Sequence, residues 1–329
     1  MEIKKKAVIV KDETGLPNYM TMFYMTPEDR QQEPEGAPEM FKIGGKTRLA
    51  VLISQYTNVM LKNIPASLPY QKPAECVNFD RAAEACRRKG ENWHLMTNAE
   101  WLYLTEEADR LGHTIGGNTN HGKDADNPEQ EAWCYDGYTV LTGTEPVEWS
   151  HDGTAEGVFG LKGNFWEWVS GLRLVRGCIE YIPHNDAATC DLGPGAPTWQ
   201  PAIHEGERLK LIADEGEVKL TTGERKDGWT GCHMSELKLE GLEEVPEIAY
   251  KLGIVPRDWK SRKDGLWTDS ELEEALPVRG SCFGLTSRGG AAALNLYSPR
   301  TYGDSGISFR SALWLDDWEL ITGILERNA

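Results

Sequence analysis

The chain has 329 residues, with 35 Lys and Arg against 52 Asp and Glu and a formal charge of -17. That field repels phosphate backbones and anionic lipid headgroups, which excludes nucleic acid and direct membrane insertion as partners. The length buries a full core without a metal or a disulfide framework.

The first apolar run, Ala7 to Val10, is too short for a secretory h-region, and no stretch approaches the roughly 18 apolar residues of a membrane span. The expectation is a protein made in the cytoplasm that reaches a virion or cell surface by another route. Seven cysteines without a CxxC spacing argue for reduced thiols rather than a disulfide framework or a zinc ribbon. Residues 1–40 carry Pro, Gly and charge at loop density and read as an arm or linker. From Met40 to about Leu61 β-branched and aromatic content rises, predicting short strands with a turn at Gly44-Gly45.

The segment Phe79 to Gly90 predicts a helix capped by Asn78 or Asp80 and closed at Gly90. A second helix follows Thr97, whose hydroxyl and Glu100 form a capping box; Trp101, Leu102, Leu104 and Leu111 face inward and Gly112 ends it. Residues 113–160 are dense in Gly, Asn and Asp and read as long ordered loops held by buried Trp133, Tyr135, Tyr138 and Trp149. Within them Asn118, Asn120, His121, Asp124 and Asp126 supply enough oxygen ligands for Ca²⁺ without the spacing of an EF-hand, so a structural Ca²⁺ is a candidate on Asn118, Asn120, Asp124 and Asp126; self-capped turns are the plainer expectation. Residues 172–278 form an insertion of mixed structure, with hairpin strands at Arg208 to Ile212 and Gly216 to Gly223 and a short helix within Ser235 to Ile254. The domain then spans 41–313, with a tail at 314–329.

Three segments resemble one family. Asn92 to Leu104 (NWHLMTNAEWLYL), Phe159 to Gly171 (FGLKGNFWEWVSG) and the pair VRGSCF at Val278 and GISFR at Gly306 are similar, in order, to the motifs of formylglycine-generating-enzyme, or sulfatase-modifying-factor, domains. The resemblance implies an α+β, C-type-lectin-like fold, loop-rich with short strands and two main helices. Its scaffold residues are Trp101, Gly163, Asn164, Trp166, Glu167, Trp168, Arg279, Gly280, Phe309 and Arg310. Gly163 and Asn164 permit a turn with positive φ, and the two indoles flanking Glu167 anchor loops that lack ladder hydrogen bonds. The oxidases of this family use two cysteines five residues apart after the GGS turn. Here those places hold Gly284 and Gly289, or Leu285 and Gly290 in the other register, and Cys282 alone cannot make the two-thiolate site that Cu(I) prefers. No His-rich iron triad occurs. No catalytic residue and no cofactor are therefore expected, and a copper- or iron-dependent oxidase is the least favoured reading.

The chain also resembles the variable proteins of diversity-generating retroelements, through WHLMTNAEW, the NTNHGKD loop, WSHDGT at Trp149, GNFWEWVSGLRLV and the terminal ALNLYSPR and GISFR. In those systems a reverse transcriptase miscopies adenines, so AAC and AAT codons vary at their first two positions and cannot become Glu, Lys, Gln, Met or Trp codons. Those five types make up about a quarter of the chain, yet none occurs from Val278 to Leu313. A Gly/Ala/Ser-rich segment of tight loops would also be short of long side chains. The resemblance implies a variable region at about 281–308 that binds a protein or carbohydrate ligand, as in phage or prophage receptor recognition or surface display. Its exposed candidates are Gly284, Leu285, Thr286, Ser287, Arg288, Tyr297, Ser298, Tyr302, Gly303, Asp304 and Ser305, with the two tyrosines as anchors. A non-diversified carbohydrate-binding or structural module of the same fold is the alternative.

Overall fold

The computed structural model of the chain describes residues 2–32 and 36–329. The first sheet has five strands, in the order Lys4–Lys11, Pro17–Tyr24, Ala50–Ser54, Ser311–Leu315 and Trp93–Leu95. Strands from near both ends of the chain thus share one sheet. The strand Pro17–Tyr24 buries Met20, Met22 and Phe23 against Val51, Leu52 and Ile53. Residues 4–24 are therefore not the arm expected from composition: their charged outer strand is an edge, where lysines suit solvent, and the inner strand is core. Met1 and residues 33–35 of the expected arm lie outside the described residues.

Among the described residues five α-helices punctuate the chain: α1 (Pro27–Gln32), α2 (Phe79–Arg87), α3 (Asn98–Leu111), α4 (Glu247–Lys251) and α5 (Trp318–Arg327). Asn78 caps α2 by accepting from the Arg81 amide, and the helix ends at Arg87 with Arg88 as its C-cap, two residues before Gly90. At α3 the capping box between Thr97 and Glu100 is complete and Gly112 closes the helix in the left-handed conformation. Leu111 is exposed rather than inward-facing because it lies on the last turn, beyond the sheet that covers Trp101 and Leu104. The C-terminal segment is not a loose tail. Asp317 caps α5, which buries Ile321 and Ile324 in the first core.

The segment 172–278 splits between two further sheets. Strands Leu172–Val175, Cys178–Tyr181, Lys210–Asp214, Glu217–Thr221 and Lys238–Glu240 form one, with the expected hairpin at its centre. The other runs in the order Trp229–His233, Gly265–Asp269, Leu294–Ser298, Leu276–Arg279, Trp166–Trp168 and Ile307–Phe309. Leu266 from the insertion and Leu294 and Leu296 from the C-terminal region share one hydrophobic cluster. The insertion and the C-terminal region are thus packed together.

Candidate ligand-binding face

The scaffold motif is buried almost throughout. Gly163 has φ +74°, and a Cβ there would lie 2.0 Å from the Asn118 carbonyl oxygen, so only glycine fits. Asn164 follows with φ +64°. Its Oδ1 accepts from the Val140 amide and Asn118 Nδ2, both at 3.0 Å, while its Nδ2 donates to the Val140 carbonyl. The next strand points Trp168 inward, where its indole donates to the Val77 carbonyl at 2.9 Å. Glu167 meets Arg310 in a buried bidentate pair, with Nε donating to Oε2 at 2.7 Å and Nη2 to Oε1. Thr57 also donates to Glu167, so the carboxylate is fully engaged.

Arg279 has a different environment. It is buried without a carboxylate partner, and burial pulls its pKa down to about 9. It donates to Asn98 Oδ1 and to the carbonyls of Leu252 and Gly253 just past α4, clamping the insertion onto α3. It also lines a cavity of about 900 Å³ bounded by α3, residues 250–264 and the Gly289-Gly290 turn. At Gly280, with φ +90°, an added Cβ would lie 2.8 Å from the Leu161 carbonyl oxygen and 3.0 Å from the Trp101 ring, whose indole donates to the Ala291 carbonyl. Phe309 completes this frame, fully buried beside Trp168.

Three separate segments of the C-terminal region are held on this frame. The first, Phe283 to Arg288, is tied to the 118–124 loop: the His121 amide donates to the Phe283 carbonyl and the Thr286 amide to the Thr119 carbonyl. Phe283 packs with Tyr138 at 5.6 Å and His121 at 5.7 Å between ring centroids. The second ends the strand Leu294–Ser298, and the third is the loop 302–305. Asp304 organises that loop by accepting from the Tyr302 hydroxyl at 2.6 Å and the Gly306 amide at 2.7 Å, and its carbonyl accepts from Cys76. The Asp304 bond, above all, pushes the Tyr302 phenol up to about 12, with weaker contributions from burial and neighbouring Tyr297.

Gly284, Thr286, Ser287, Tyr297, Tyr302, Gly303 and Ser305 are exposed, while Leu285, Arg288 and Asp304 are half-buried. Ser298 is a correction. It is 1 % exposed, because strand alternation that turns Tyr297 outward turns Ser298 into the core, and its hydroxyl has no partner there. Gly284 has open space where a side chain would go, whereas a Cβ on Gly303 would sit 3.0 Å from the backbone of Val77 and Asn78. The Arg288 amide donates to the Leu285 carbonyl, while its guanidinium makes no hydrogen bond or ion pair among the described residues.

The calcium candidate does not assemble as an ion site. The Lys162 ammonium donates to both carboxylate oxygens of Asp124 at 3.0 Å and to Asp126 at 2.9 Å, filling the place of a cation. Asn118 is spent on Gly122, Tyr138 and Asn164. No group of three or more His, Cys, Asp and Glu suited to a metal occurs among the described residues. All seven cysteines are free, and burial raises the Cys282 thiol above its ordinary range.

Composition misplaced three aromatics and overlooked two more. Trp133, Tyr135 and Tyr138 are exposed, at 59 %, 62 % and 50 %, while Trp149 alone of that group is buried. Those side chains were expected inside because loops without ladders need anchors; here Asp136 caps the turn, accepting from the Tyr138 and Thr139 amides, and leaves the rings outside. Trp229 and Trp267 of the insertion lie in the sheet that carries Tyr297. Period-two alternation in GWTGCH and GLWTD was the available signal.

Residues 56–178 match the sequence profile of the family described as sulfatase-modifying factor enzyme 1-like domain. Among solved structures the chain is similar to PvdO from Pseudomonas aeruginosa, at 15 % identity over 95 % of this chain and 100 % of that one, with a TM-score of 0.38. It is also similar to the Major Tropism Determinant U1 variant, at 11 % identity over 96 % and 74 % of the two chains, with a TM-score of 0.33. A comparison with curated proteins finds no match. The matched segment holds α2, α3 and the GNFWEWV strand, and the fold built on it is the loop-rich α+β, C-type-lectin-like fold of the formylglycine-generating-enzyme type.

Proposed function

We propose that this chain is a non-catalytic binding protein whose C-terminal variable region, about residues 281–308, recognises a ligand on a cell or particle surface and is diversified by a retroelement. One observation carries the reading. The positions exposed in Phe283 to Arg288, at Tyr297 and in 302–305 lie in the stretch that lacks Glu, Lys, Gln, Met and Trp, while the buried frame beneath them is fixed by Arg279, Gly280, Leu294, Leu296, Phe309 and Arg310. A surface that must change without unfolding needs that separation of exposed from buried positions.

Tyr297 and Tyr302 are its anchors, and the uncommitted Arg288 adds a charged donor. The ligand is a protein or a carbohydrate, and the protein is displayed on a virion or cell surface. Gly284 and Gly289, or Leu285 and Gly290 in the other register, stand where the family's oxidases place a cysteine pair, and the raised Cys282 thiol is a poor thiolate, which supports a role without oxidation chemistry. Binding needs no metal, since Lys162 already neutralises Asp124 and Asp126.

Exchanging Gly284, Thr286, Ser287, Tyr302 and Ser305 together for other residues tests this. The expected outcome is a changed ligand with a melting temperature within a few degrees of the parent, and Tyr302→Ala alone weakens binding by roughly tenfold or more. An exchanged protein that unfolds, or that keeps its ligand at unchanged affinity, contradicts the reading.

A further inference from the structure

The insertion places a second recognition element beside the variable positions. Trp229 is 70 % exposed on the edge strand Trp229–His233. It pairs in register with Asp269, and the parallel register that sets Trp267 against Asn295 and Thr268 against Leu296 brings Asp269 beside Tyr297. Side chains two apart on a strand share a face, so Trp229, Asp269 and Tyr297 form one row and Gly231, Trp267 and Asn295 the next. Leu266, Leu294 and Leu296 take the opposite face into the core.

The glycines of this sheet explain how the second row lies. A Cβ on Gly231 or Gly265 would come within 2.0 Å of the Trp267 indole, so the ring lies flat over both. Trp267 is half-buried, braced edge-on by Trp166 at 5.4 Å, and packed in the cluster that also receives Cys282 and Leu285. The result is a shallow trough along one sheet face: Trp229 and Tyr297 rim it, two strand spacings or roughly 10 Å apart with Asp269 between them, and the Trp267 indole lies one row along. Two polar groups face it. Asp269 uses Oδ1 for the Glu271 amide, and its Oδ2 has no hydrogen-bond partner among the described residues. Asn295, 2 % exposed, accepts from the Tyr297 amide through Oδ1, and its Nδ2 makes no hydrogen bond among the described residues.

We propose that this trough is a constant subsite for a neutral pyranose unit of a glycan, a proposal that rests on the ligand-binding reading above. The apolar face of a pyranose stacks on an indole, and its hydroxyls require an acceptor and a donor close together, which Asp269 and Asn295 supply. A sialylated or phosphorylated sugar would meet the Asp269 carboxylate within a field of formal charge -17, so the uncharged class is selected. The subsite joins the variable loops through Tyr297 and Leu285, letting a fixed sugar contact hold a ligand whose remaining surface the variable residues read.

The test uses the full chain titrated with neutral cello-, chito-, malto- and manno-oligosaccharides by calorimetry, alongside W229A, W229F, D269N and a variable-loop exchange at 284, 286, 287, 302 and 305 that keeps Leu285 and Tyr297. Binding of at least one neutral series, weakened about tenfold or more by W229A, less by W229F, and left within about threefold by the loop exchange, is the expected result. Absence of binding by every series, or equal binding by W229A at unchanged melting temperature, overturns the subsite. So does a Trp229-dependent ligand that proves to be protein without glycan. None of these results bears on whether the loop exchange alters the ligand, which is the separate test of the binding reading.

Discussion

Glu145 shows how one buried group sets a pH dependence. Its Oε2 is buried without a hydrogen-bond partner, and burial pushes the carboxyl up to about 7 despite Arg310 nearby. A carboxyl whose folded pKa lies above its unfolded value binds more protons in the native state, so stability is full below about pH 4.5 and falls as pH rises through about 7. Glu145→Gln should therefore raise the melting temperature by a few degrees at pH 8, with the difference closing near pH 4 in a series of thermal melts. An equal gap at both pH values would show that the carboxyl is not the titrating group. Glu167 and Arg310 were each legible as scaffold residues only through the family resemblance. Nothing in the order of the residues says that positions 143 apart in sequence share two hydrogen bonds. Ser298, by contrast, was misread although the information was local: with Tyr297 outward, period two puts Ser298 inside.

At the level of elements, what the sequence disclosed was what short-range chemistry decides. The α3 capping box, the left-handed Gly112, the Asn78 cap and the hairpin at Lys210–Asp214 and Glu217–Thr221 each depend on residues a few positions apart. The N-terminal hairpin was missed because its meaning is non-local. Pro17–Tyr24 pairs with Ala50–Ser54, whose other edge is taken by Ser311–Leu315 from the far end of the chain. Removing residues 1–24 should then expose the apolar edge of Ala50–Ser54 and give an insoluble or molten protein, by circular dichroism and light scattering. A soluble, cooperatively melting truncation would return these residues to the status of an arm. Loop aromatics failed for a related reason. Composition cannot tell a ring that anchors a loop from one that lines its outside, and Trp149 and Trp133 are indistinguishable until the fold places one on the core and the other on Asp136's turn.

Across the whole molecule, three sheets converge on one division of labour. Buried glycines, indoles and arginines hold the backbone of the C-terminal region, the insertion supplies a sheet that continues beyond it, and the exposed positions between 284 and 305 occupy the strand end and loops. The order of the three motifs was enough to read the fold, whereas the role of residues 172–278 was not, since the register of Gly265–Asp269 on Leu294–Ser298 exists only in the assembled sheet. The most direct measurement of the central claim is the sequence of the DNA around the codons for residues 281–308. A near-identical, adenine-rich repeat beside a reverse transcriptase gene is predicted, with mismatches confined to template adenines and falling on codons for exposed positions such as 284, 286, 287, 297 and 302, and none at Arg279, Leu294 or Phe309. Absence of the repeat, or mismatches spread evenly over exposed and buried codons, would contradict it.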